Sequence, residues 1–567
     1  MNNLHKRIIS CFSAVLIAAA AFGSFVTAHA ESTPSQSIQQ GNVLHCFVWK
    51  FSDIRAELPR IAEAGFTAVQ TSPVQFTLDY GTYDAYYRPV SFALNSYSEF
   101  GDMDELKALC EEAEKYGIKV IVDVVANHMG SFREAAKSDE SFAKWLHYLS
   151  EAGYFDTKYL KDEYWHNRGI IRNYNKRSDV TNGDMHRYLP DLNTENHEVQ
   201  ADAKELLAKL KALGVDGVRW DGAKHIALPS EGSDFWPNVI DTEMYHYGEI
   251  LGGPTGDKSS DPLMKEYTDY MSVTDSAYGA LVLENFNNGK APDNSGNWIK
   301  RGVSADKLMY WAETHDTYCG GNSYSMSQNT IDRAYAVVGS RQGASALYFS
   351  RPNDKTAPAG EKGSTHFTSP EVAAVNRFRT LMADRAEYVT AENNCTVVTR
   401  QNGGAVLALG NGSGDVSVPN GNHYVPQGQY IDEVSGNTFT VTADVISGTV
   451  GDSGIAVLYR RTEQPSTETE TTVAPATIPA ASSAATQPST AETATVPKSS
   501  SSSDSAPHTN STPDSVPNGE NQSTGTAAST TGGAIATDGT GITALWIVTA
   551  LSAAVFAIFF IRRNNES

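Results

Sequence analysis

Three acidic residues each follow a short run that is typical of the end of a β-strand. Asp221 follows the run VRW, Glu249 follows the aromatic run YHYG, and Asp316 comes after LMYWAETH. A single carboxylate of this kind is by default a surface residue. Three of them at the ends of successive strands of a parallel barrel would meet at one edge. There they could break a glycosidic bond, with one carboxylate attacking, one donating a proton and one stabilising the charged transition state.

The neighbours of these acids indicate how the roles divide. Side chains alternate along a strand, so Arg219 and Asp221 point the same way, and the guanidinium favours an ionised carboxylate that can act as a nucleophile. The alternative is a structural ion pair at a strand end. Apolar surroundings would raise the pKa of Glu249 and keep the proton that a general acid needs. His315 and Asp316 form a pair that is often structural, and only the other segments favour a catalytic interpretation.

A repeated pattern of amphipathic helix, glycine and apolar strand provides the framework for these acids. The helices are predicted over residues 54–64, 103–116 and 197–213, and they end before Gly65, Gly117 and Gly214. Each glycine lies where a helix needs a left-handed residue after its last turn. Helices alternating with apolar strands predict an α/β fold with a buried parallel sheet. The length of residues 41–385 favours a (β/α)8 TIM barrel with insertions, and a doubly wound open sheet is the alternative.

Two further segments depart from the barrel pattern. The helix and strand pattern stops over residues 129–192, which predicts a small subdomain inserted after the third barrel strand. The catalytic barrel is therefore assigned to residues 31–128 and 193–385. Residues 386–461 alternate as β-strands with a hairpin signal at 401–404, which predicts a C-terminal antiparallel β-sandwich.

The two ends of the chain predict export and attachment to the cell surface. Residues 1–30 combine basic residues, an apolar run and a small-residue cleavage site, as in a signal peptide, and an N-terminal anchor is the alternative. Residues 462–540 are rich in Ser, Thr and Pro and predict a disordered stalk. Residues 541–561 are long and apolar enough for a transmembrane helix or a sorting signal, and residues 562–567 form a basic tail.

Composition narrows the class of ligand. The 567-residue chain has a formal net charge of −22 at pH 7, which argues against nucleic acid and is compatible with a neutral polysaccharide. Cys11 belongs to the predicted signal peptide. The other four cysteines show no metal-ligand spacing, and an extracellular location would permit one or two disulfides without choosing a pairing. They are Cys46, Cys110, Cys319 and Cys395.

Four segments carry a resemblance to a known family. They are DVVANH, GVRWDGAKH, YGEI and ETHDT, in this order along the chain. Together they resemble the four conserved regions of the α-amylase family, glycoside hydrolase family 13, and the similarity extends over roughly residues 42–460. Within that family the segments are most similar to those of secreted α-amylases of Bacillus subtilis type.

The resemblance implies a role for each residue of the site. Asp221 would be the nucleophile, Glu249 the acid/base and Asp316 the transition-state stabiliser. Six residues would bind substrate, with Tyr87 stacking beneath the sugar at the bond and Lys224 and His225 on the leaving-group side. The six are Tyr87, His128, Arg219, Lys224, His225 and His315.

The resemblance also implies a structural calcium ion between barrel and subdomain. Its ligands would be the side chains of Asn127 and Asp191 with carbonyl oxygens of His225 and Thr181, and oxygen ligands suit Ca²⁺. The alternative is that Asn and Asp are ordinary loop formers. Relatives that need chloride bind it partly through an Asn where this sequence has Thr314, so no chloride is expected.

The expected function is that of an extracellular, endo-acting α-amylase that hydrolyses α-1,4-glucosidic bonds of starch and related glucans with retention of configuration. A transglucosylase or branch-specific hydrolase of the same family is one alternative. An inactive surface glucan-binding protein is another, disfavoured because all three acids are present. The expected partners are an α-glucan and, through the C-terminal segment, a membrane or cell wall, for a monomeric chain. The segment before Tyr87 lacks the tryptophans of similar enzymes, so outer glucose subsites are expected to differ.

Overall fold

The computed structural model describes residues 38–293 and 298–460. The predicted signal peptide, the stalk, the apolar segment 541–561 and the basic tail all lie outside these residues. Within the described part of the chain, no helix is both long enough and apolar enough to cross a membrane.

The described residues form eighteen β-strands. In chain order they are β1 (Asn42–His45), β2 (Ala68–Thr71), β3 (Gln75–Thr77), β4 (Pro89–Leu94), β5 (Lys119–Val125), β6 (Gly217–Asp221), β7 (Tyr245–Gly248), β8 (Ser272–Thr274), β9 (Leu308–Trp311), β10 (Ser345–Phe349), β11 (Glu387–Glu392), β12 (Cys395–Arg400), β13 (Ala405–Leu409), β14 (Gly414–Pro419), β15 (Gly428–Ile431), β16 (Thr438–Val441), β17 (Val445–Val450) and β18 (Ile455–Leu458).

The same residues form thirteen α-helices. They are α1 (Phe51–Glu63), α2 (Tyr83–Tyr86), α3 (Met103–Lys115), α4 (Arg133–Ser138), α5 (Glu140–Glu151), α6 (Arg177–Val180), α7 (His197–Ala212), α8 (Phe235–Val239), α9 (Asp261–Tyr267), α10 (Ser276–Asn287), α11 (His315–Cys319), α12 (Gln328–Gly339) and α13 (Pro370–Leu381).

Eight strands close into a parallel barrel in the order β1-β10-β9-β8-β7-β6-β5-β2. The prediction of a TIM barrel is therefore confirmed, and the open-sheet alternative is wrong. All strands run the same way, so their carboxyl ends share one face of the barrel, where barrel enzymes carry their active sites. One expectation needs correction, because the three acids do not follow successive strands. They follow β6, β7 and β9, and β8 lies between the last two.

The glycines predicted to end three helices do so. Helices α1, α3 and α7 each end two residues before their glycine, Gly65, Gly117 and Gly214 respectively. The φ angles of these glycines are 79°, 67° and 94°, the left-handed region that lacks strain only for a residue without a Cβ atom. This backbone conformation lets the chain reverse direction after each helix and enter the next barrel strand.

The predicted insertion follows the third barrel strand, β5. It contains α4, α5 and α6 and returns to the chain at α7. An isolated bridge between His128 and Asp191 joins the insertion to the end of the barrel segment, and a second bridge between Trp165 and Leu192 lies within the insertion. The insertion therefore stands on the catalytic face.

The predicted C-terminal sandwich is present as two four-stranded antiparallel sheets, β11-β12-β13-β18 and β14-β17-β16-β15. The hairpin signal at 401–404 joins β12 and β13, and Arg400 N donates to the Gly404 carbonyl at 2.9 Å. Arg341, before β10, reaches Glu387 of β11 at 2.8 Å and connects barrel and sandwich.

The four cysteines of the described residues are all free thiols. Cys46, Cys110 and Cys395 are buried, and Cys319 is half-buried at the end of α11. The disulfides that an extracellular location permits are therefore not formed among them.

Candidate active site

The three predicted acids line one cavity at the carboxyl face of the barrel. Asp221 is the last residue of β6, Glu249 directly follows β7, and Asp316 is the second residue of α11, just after β9. The cavity has a volume of about 550 Å³ and all three carboxylates lie on its wall. The fold thus brings together residues that are up to 95 positions apart in the chain.

Arg219 lies at the centre of the acidic cluster and is buried. Its Nη1 is 2.8 Å from Asp221 Oδ1, and its Nη2 is 2.7 Å from Glu249 Oε1. The contact between Arg219 and Asp221 that strand alternation predicts is therefore present. One guanidinium holds two of the acids at once, which fixes their relative position.

Asp123 is a further member of the cluster that the sequence reasoning missed. Both of its oxygens accept from Arg219 Nη1, at 2.9 and 2.8 Å, because β5 and β6 pair with Asp123 opposite Arg219. Asp123 is fully buried, and burial raises its pKa against the opposing effect of Arg219. The available signal was a single charged residue inside the apolar run VIVDVV, which requires a partner when buried.

Glu249 is held in a setting that favours its protonated form. The Gly222 amide donates to Glu249 Oε2 at 3.1 Å, and Asp316 shares a side-chain hydrogen bond with Glu249. Burial raises the pKa of Glu249, the nearby charges of Asp316 and Asp221 raise it further, and Arg219 opposes them. A carboxyl group that keeps its proton can serve as a general acid.

Three rings form a stack beside these acids. The Tyr87 and His315 ring centroids are 5.1 Å apart with an interplanar angle of 15°, and Phe47 stacks on His315 at 4.7 Å and 28°. Tyr87 and His315 line the cavity, and the Tyr87 hydroxyl donates to Asp123 Oδ2 at 2.8 Å. Burial lowers the pKa of His315 to about 3, so its ring is neutral at pH 7. Phe47 lies after β1 and was not among the predicted site residues.

His128 lies between the stack and Asp221. Its Nε2 is 3.0 Å from the Tyr87 carbonyl oxygen and 4.0 Å from Asp221 Oδ2. A carbonyl oxygen only accepts, so Nε2 carries the proton. Burial lowers the pKa of His128, which keeps the ring neutral, with a donor facing the nucleophile side of the cavity.

Another part of the cavity wall contains Lys224 and His225, which were predicted to bind substrate, together with residues that were not predicted. Lys224 Nζ donates to the Leu251 carbonyl at 2.9 Å and lies 5.3 Å from the centre of the Tyr174 ring. His225 Nδ1 donates to the Val180 carbonyl at 2.9 Å. The inserted segment supplies wall residues that the sequence did not single out, because nothing local marks a loop residue as facing a cavity. They are Tyr174, Met185, His186, Tyr188 and Leu189.

The predicted calcium ligands include buried oxygen atoms that lack hydrogen bonds. Both side-chain polar atoms of Asn127 and the Oδ1 atom of Asp191 are buried and have no partner among the described residues. The two residues adjoin, because the Leu192 amide donates to the Asn127 carbonyl at 2.9 Å. Thr181 and His225 are also buried. Unpaired buried oxygens fit a hard cation.

Among the described residues around Asn127 and Asp191, no metal site built from several His, Cys, Asp or Glu side chains is formed. In the described part of the chain, no three or more His, Cys, Asp or Glu side chains cluster in a way that could hold a metal. His166, which the sequence did not indicate, contacts Asp191 Oδ2 at 2.5 Å and Glu195 at 2.7 Å. A cation here would thus depend on amide and carbonyl oxygens together with one aspartate.

This chain is similar in sequence to a known protein family and to curated proteins. Residues 51–287 match the sequence model of a family described as "Alpha amylase, catalytic domain". Two curated relatives named Alpha-amylase, from Clostridium acetobutylicum and Butyrivibrio fibrisolvens, are 31% and 30% identical over 76% and 75% of this chain. The chain spans 56% and 48% of the length of these relatives.

Solved structures share the fold. A complex of α-amylase I and maltohexaose from Eisenia fetida matches with a TM-score of 0.59 at 18% identity, covering 74% of this chain and 97% of that one. An Anoxybacillus α-amylase matches with a TM-score of 0.58 at 16% identity, covering 76% of this chain and 100% of that one. The matched family residues include Asp221 and Glu249 and end before Asp316. Residues 51–287, which include five of the eight barrel strands, therefore match the catalytic domain of the α-amylase family of glycoside hydrolases.

Proposed function

We propose that this protein is an endo-acting α-amylase that hydrolyses α-1,4-glucosidic bonds of starch and related glucans. The observation that carries the proposal is the Arg219 guanidinium, which bridges Asp221 and Glu249 on the wall of one cavity that Asp316 also lines. The maltohexaose complex of a protein with the same fold supports a linear α-glucan as ligand. We also propose that, within the family, this protein is most similar to the secreted α-amylases of Bacillus subtilis type.

The mechanism follows from the environment of each acid. Arg219 holds Asp221 Oδ1 and leaves Oδ2 to attack the anomeric carbon, which forms a covalent glucosyl intermediate. Glu249 donates its proton to the departing oxygen and then removes a proton from the attacking water. Asp316, half exposed at the cavity mouth, stabilises the positive charge that develops on the sugar.

Retention of configuration is part of the proposal. Retaining glycosidases hold their two carboxyl groups closer together than inverting enzymes, which leave room for a water molecule. A single guanidinium that contacts both Asp221 and Glu249 favours the shorter separation. Proton NMR of the first products from soluble starch should show α-anomers, and initial β-anomers would reject the retaining mechanism. Asp221→Asn should remove nearly all turnover.

The reaction products distinguish an endo-acting α-amylase from two alternative enzymes of the same family. A transglucosylase would lengthen maltooligosaccharides, and a branch-specific hydrolase would cleave pullulan in preference to amylose. An endo-acting α-amylase would release short oligosaccharides from amylose. A glucan-binding protein without activity would bind amylose and release no product.

We further propose that Asn127 and Asp191, with carbonyl oxygens of His225 and Thr181, hold a structural calcium ion. The unpaired buried oxygens of Asn127 and Asp191 support this assignment. An ion here would bind the unpaired Asp191 Oδ1 and join the inserted segment to the barrel. A chelator should lower the thermal midpoint of the native protein, and Asn127→Ala should reduce that response. An unchanged midpoint after chelation would contradict the assignment.

Location is proposed from sequence alone. The signal-peptide pattern of residues 1–30 and the apolar block 541–561 support an exported protein attached to the cell surface. Fractionation of the source cells should recover the full chain with membrane or wall, and removal of residues 541–567 should release it to the medium. Recovery in the cytoplasm would contradict this proposal.

A further inference from the structure

Arg177, the first residue of α6, lies behind one part of the catalytic cavity. This part of the wall is built by three segments, namely the inserted segment and the loops after β6 and β7. Its residues, called the leaving-group wall below, are Tyr174, Lys224, His225 and Leu251. Arg177 is not itself among the residues that line the cavity, so any effect it has on substrate must act through this wall.

The Arg177 guanidinium donates to backbone carbonyls of both barrel loops that carry the wall. In the loop after β6, Nη1 donates to the Lys224 carbonyl, and Nη2 makes a longer contact of 3.5 Å with the Ile226 carbonyl. In the loop after β7, Nη1 donates at 3.3 Å to the carbonyl of Pro254, which follows the wall residue Leu251. One side chain of the inserted segment therefore connects both loops.

Glu231 and Tyr267 fix the guanidinium in this position. Nε and Nη2 donate to the two Glu231 carboxylate oxygens at 2.7 and 2.9 Å, which is the bidentate geometry of a strong arginine pair. Nη2 also donates at 2.6 Å to the hydroxyl of Tyr267, the buried last residue of α9, and this hydroxyl donates to the Ile226 carbonyl at 2.7 Å. All three guanidinium nitrogens thus have an acceptor, and four segments meet at this one side chain.

Tyr174 depends on the same anchored backbone. It precedes Arg177 by three residues, and its carbonyl accepts from the Gly256 amide at 3.1 Å. Its side chain is 45% exposed, so burial in the core does not hold the ring. The ring faces the wall, with its centre 5.3 Å from Lys224 Nζ. A displacement of the Arg177 backbone would therefore move Tyr174 relative to Lys224.

The wall adjoins the acid that donates the proton in the proposed mechanism. The Lys224 amide lies 3.4 Å from the Glu249 carbonyl oxygen, and Lys224 Nζ donates to the carbonyl of Leu251, two residues after Glu249, at 2.9 Å. The oxygen that Glu249 protonates belongs to the departing sugar. The departing sugar therefore lies against the residues beside Glu249, which are those of the leaving-group wall.

We propose that Arg177 is a positioning residue for the leaving-group side of the reaction. Its guanidinium holds the inserted segment and the two loops in the arrangement that binds the departing glucan. The inference rests on the proposed function for the identity of that glucan. Arginine suits this role because its planar fork donates in several directions, whereas the lysine ammonium is a compact point charge. Substrates with glucose units on this side depend on Arg177, and substrates without them do not.

The test compares soluble amylose, which places glucose units against the wall, with maltotriosyl fluoride, whose leaving group is only fluoride. Arg177→Gln should lower kcat/KM on amylose about 10- to 100-fold, because small displacements misplace the bond to be cleaved. On maltotriosyl fluoride, kcat/KM should stay within about twofold of the native value. Arg177→Lys keeps the charge without the fork and should show the same difference between substrates. Calcium in excess in every assay excludes an effect of lost metal.

Arg333→Gln is the matched control. Arg333 also joins two segments through carbonyl oxygens, those of Ser453 at 2.8 Å and Gly412 at 2.9 Å, but it does so between barrel and sandwich. Its activity per folded molecule should not change on either substrate. Tyr267→Phe keeps the ring and removes the hydroxyl that supports Arg177, so it should lower kcat/KM on amylose alone. This milder variant decides the question if Arg177→Gln does not fold.

An equal fall on both substrates would show that Arg177 only stabilises the fold, and native kinetics of Arg177→Lys on amylose would show that its charge alone suffices. Either result would overturn the proposal. Hydrogen exchange separates it from the proposed function. In Arg177→Gln, the amides of residues 222–231 and 252–257 should exchange faster than in the native protein, and in Arg333→Gln they should not. This result supports the role of Arg177 even if the native protein cleaves neither substrate, and unchanged exchange in both ranges would refute it.

Discussion

At the scale of single residues, the site depends on one arginine that serves three carboxylates. Arg219 contacts Asp123, Asp221 and Glu249, and each contact is at most 2.9 Å long. One positive charge cannot neutralise three buried acids, so at least one of them favours its protonated form. Burial raises the pKa of both Asp123 and Glu249, and the proposed mechanism needs the proton on Glu249.

We expect Asp123→Asn to lower kcat by about 10- to 100-fold without abolishing activity, because a small displacement of Arg219 and Tyr87 misplaces the reacting groups. Steady-state kinetics on soluble starch measure the effect. Asp216→Asn is the matched control, since Asp216 binds Lys119 and the Val120 amide at the start of the barrel strands. Its activity per folded molecule should not change. Equal activity of Asp123→Asn and the native protein would show that Arg219 needs no support from Asp123.

The pH profile of kcat/KM should reflect the raised pKa of Glu249. Because burial raises this pKa above the ordinary value of 4.5, Glu249 stays protonated to higher pH and activity falls only as pH passes the raised value. The alkaline limb should therefore lie well above pH 4.5. A maltosyl fluoride, whose leaving group needs no proton, should lack this limb. A limb at the ordinary glutamate value would contradict the assignment of Glu249 as the acid.

At the scale of elements, left-handed glycines return the chain from each helix to the barrel. Gly117 has φ 67° and its Cα faces open space, whereas a Cβ at Gly214 would lie 3.0 Å from Cys110 Cβ. Both glycines end a helix, but only the second also has a steric reason to lack a side chain.

Gly117→Ala should therefore lower the free energy of unfolding by about 1 kcal/mol, the cost of left-handed backbone alone. Gly117→Asn should cost less, since Asn tolerates this region. Gly214→Ala should cost more than Gly117→Ala because of the added contact. Denaturant unfolding measures all three, and equal stability of Gly117→Ala and the native protein would contradict the conformational argument.

At the scale of the whole molecule, the barrel and the sandwich are joined by buried charge. Glu387 of β11 accepts from Arg341 at 2.8 Å and from the Gln342 amide at 2.7 Å. Both side chains are largely buried, at 5% and 17% exposure. Removing one partner leaves the other charge buried without compensation.

Glu387→Ala should lower the free energy of unfolding by about 3–5 kcal/mol, which is typical of breaking a buried pair. Activity per folded molecule should be preserved, because the interface lies away from the cavity-lining residues. Glu392→Ala, at an exposed position of the same strand, is the control and should change stability little. A loss below about 1 kcal/mol for Glu387→Ala would place this pair among weak surface ion pairs.

The sequence by itself determined the periodic and local features of this protein. Helical spacing, apolar strands and terminal glycines predicted the alternating α/β barrel, the inserted segment and the C-terminal strands, because each of these signals lies within a few turns of chain. The three acids were predicted in the same way, since each lies at the end of a strand or within five residues after it.

Only the tertiary structure decided which distant side chains meet. Asp123 faces Arg219 because two strands 96 residues apart pair in a given register, and Asp316 reaches Glu249 across the intervening β8 because the barrel closes. The aromatic stack likewise joins Phe47 after β1, Tyr87 after α2 and His315 at the start of α11. Register and closure depend on contacts between residues far apart in the chain, and no local pattern records them.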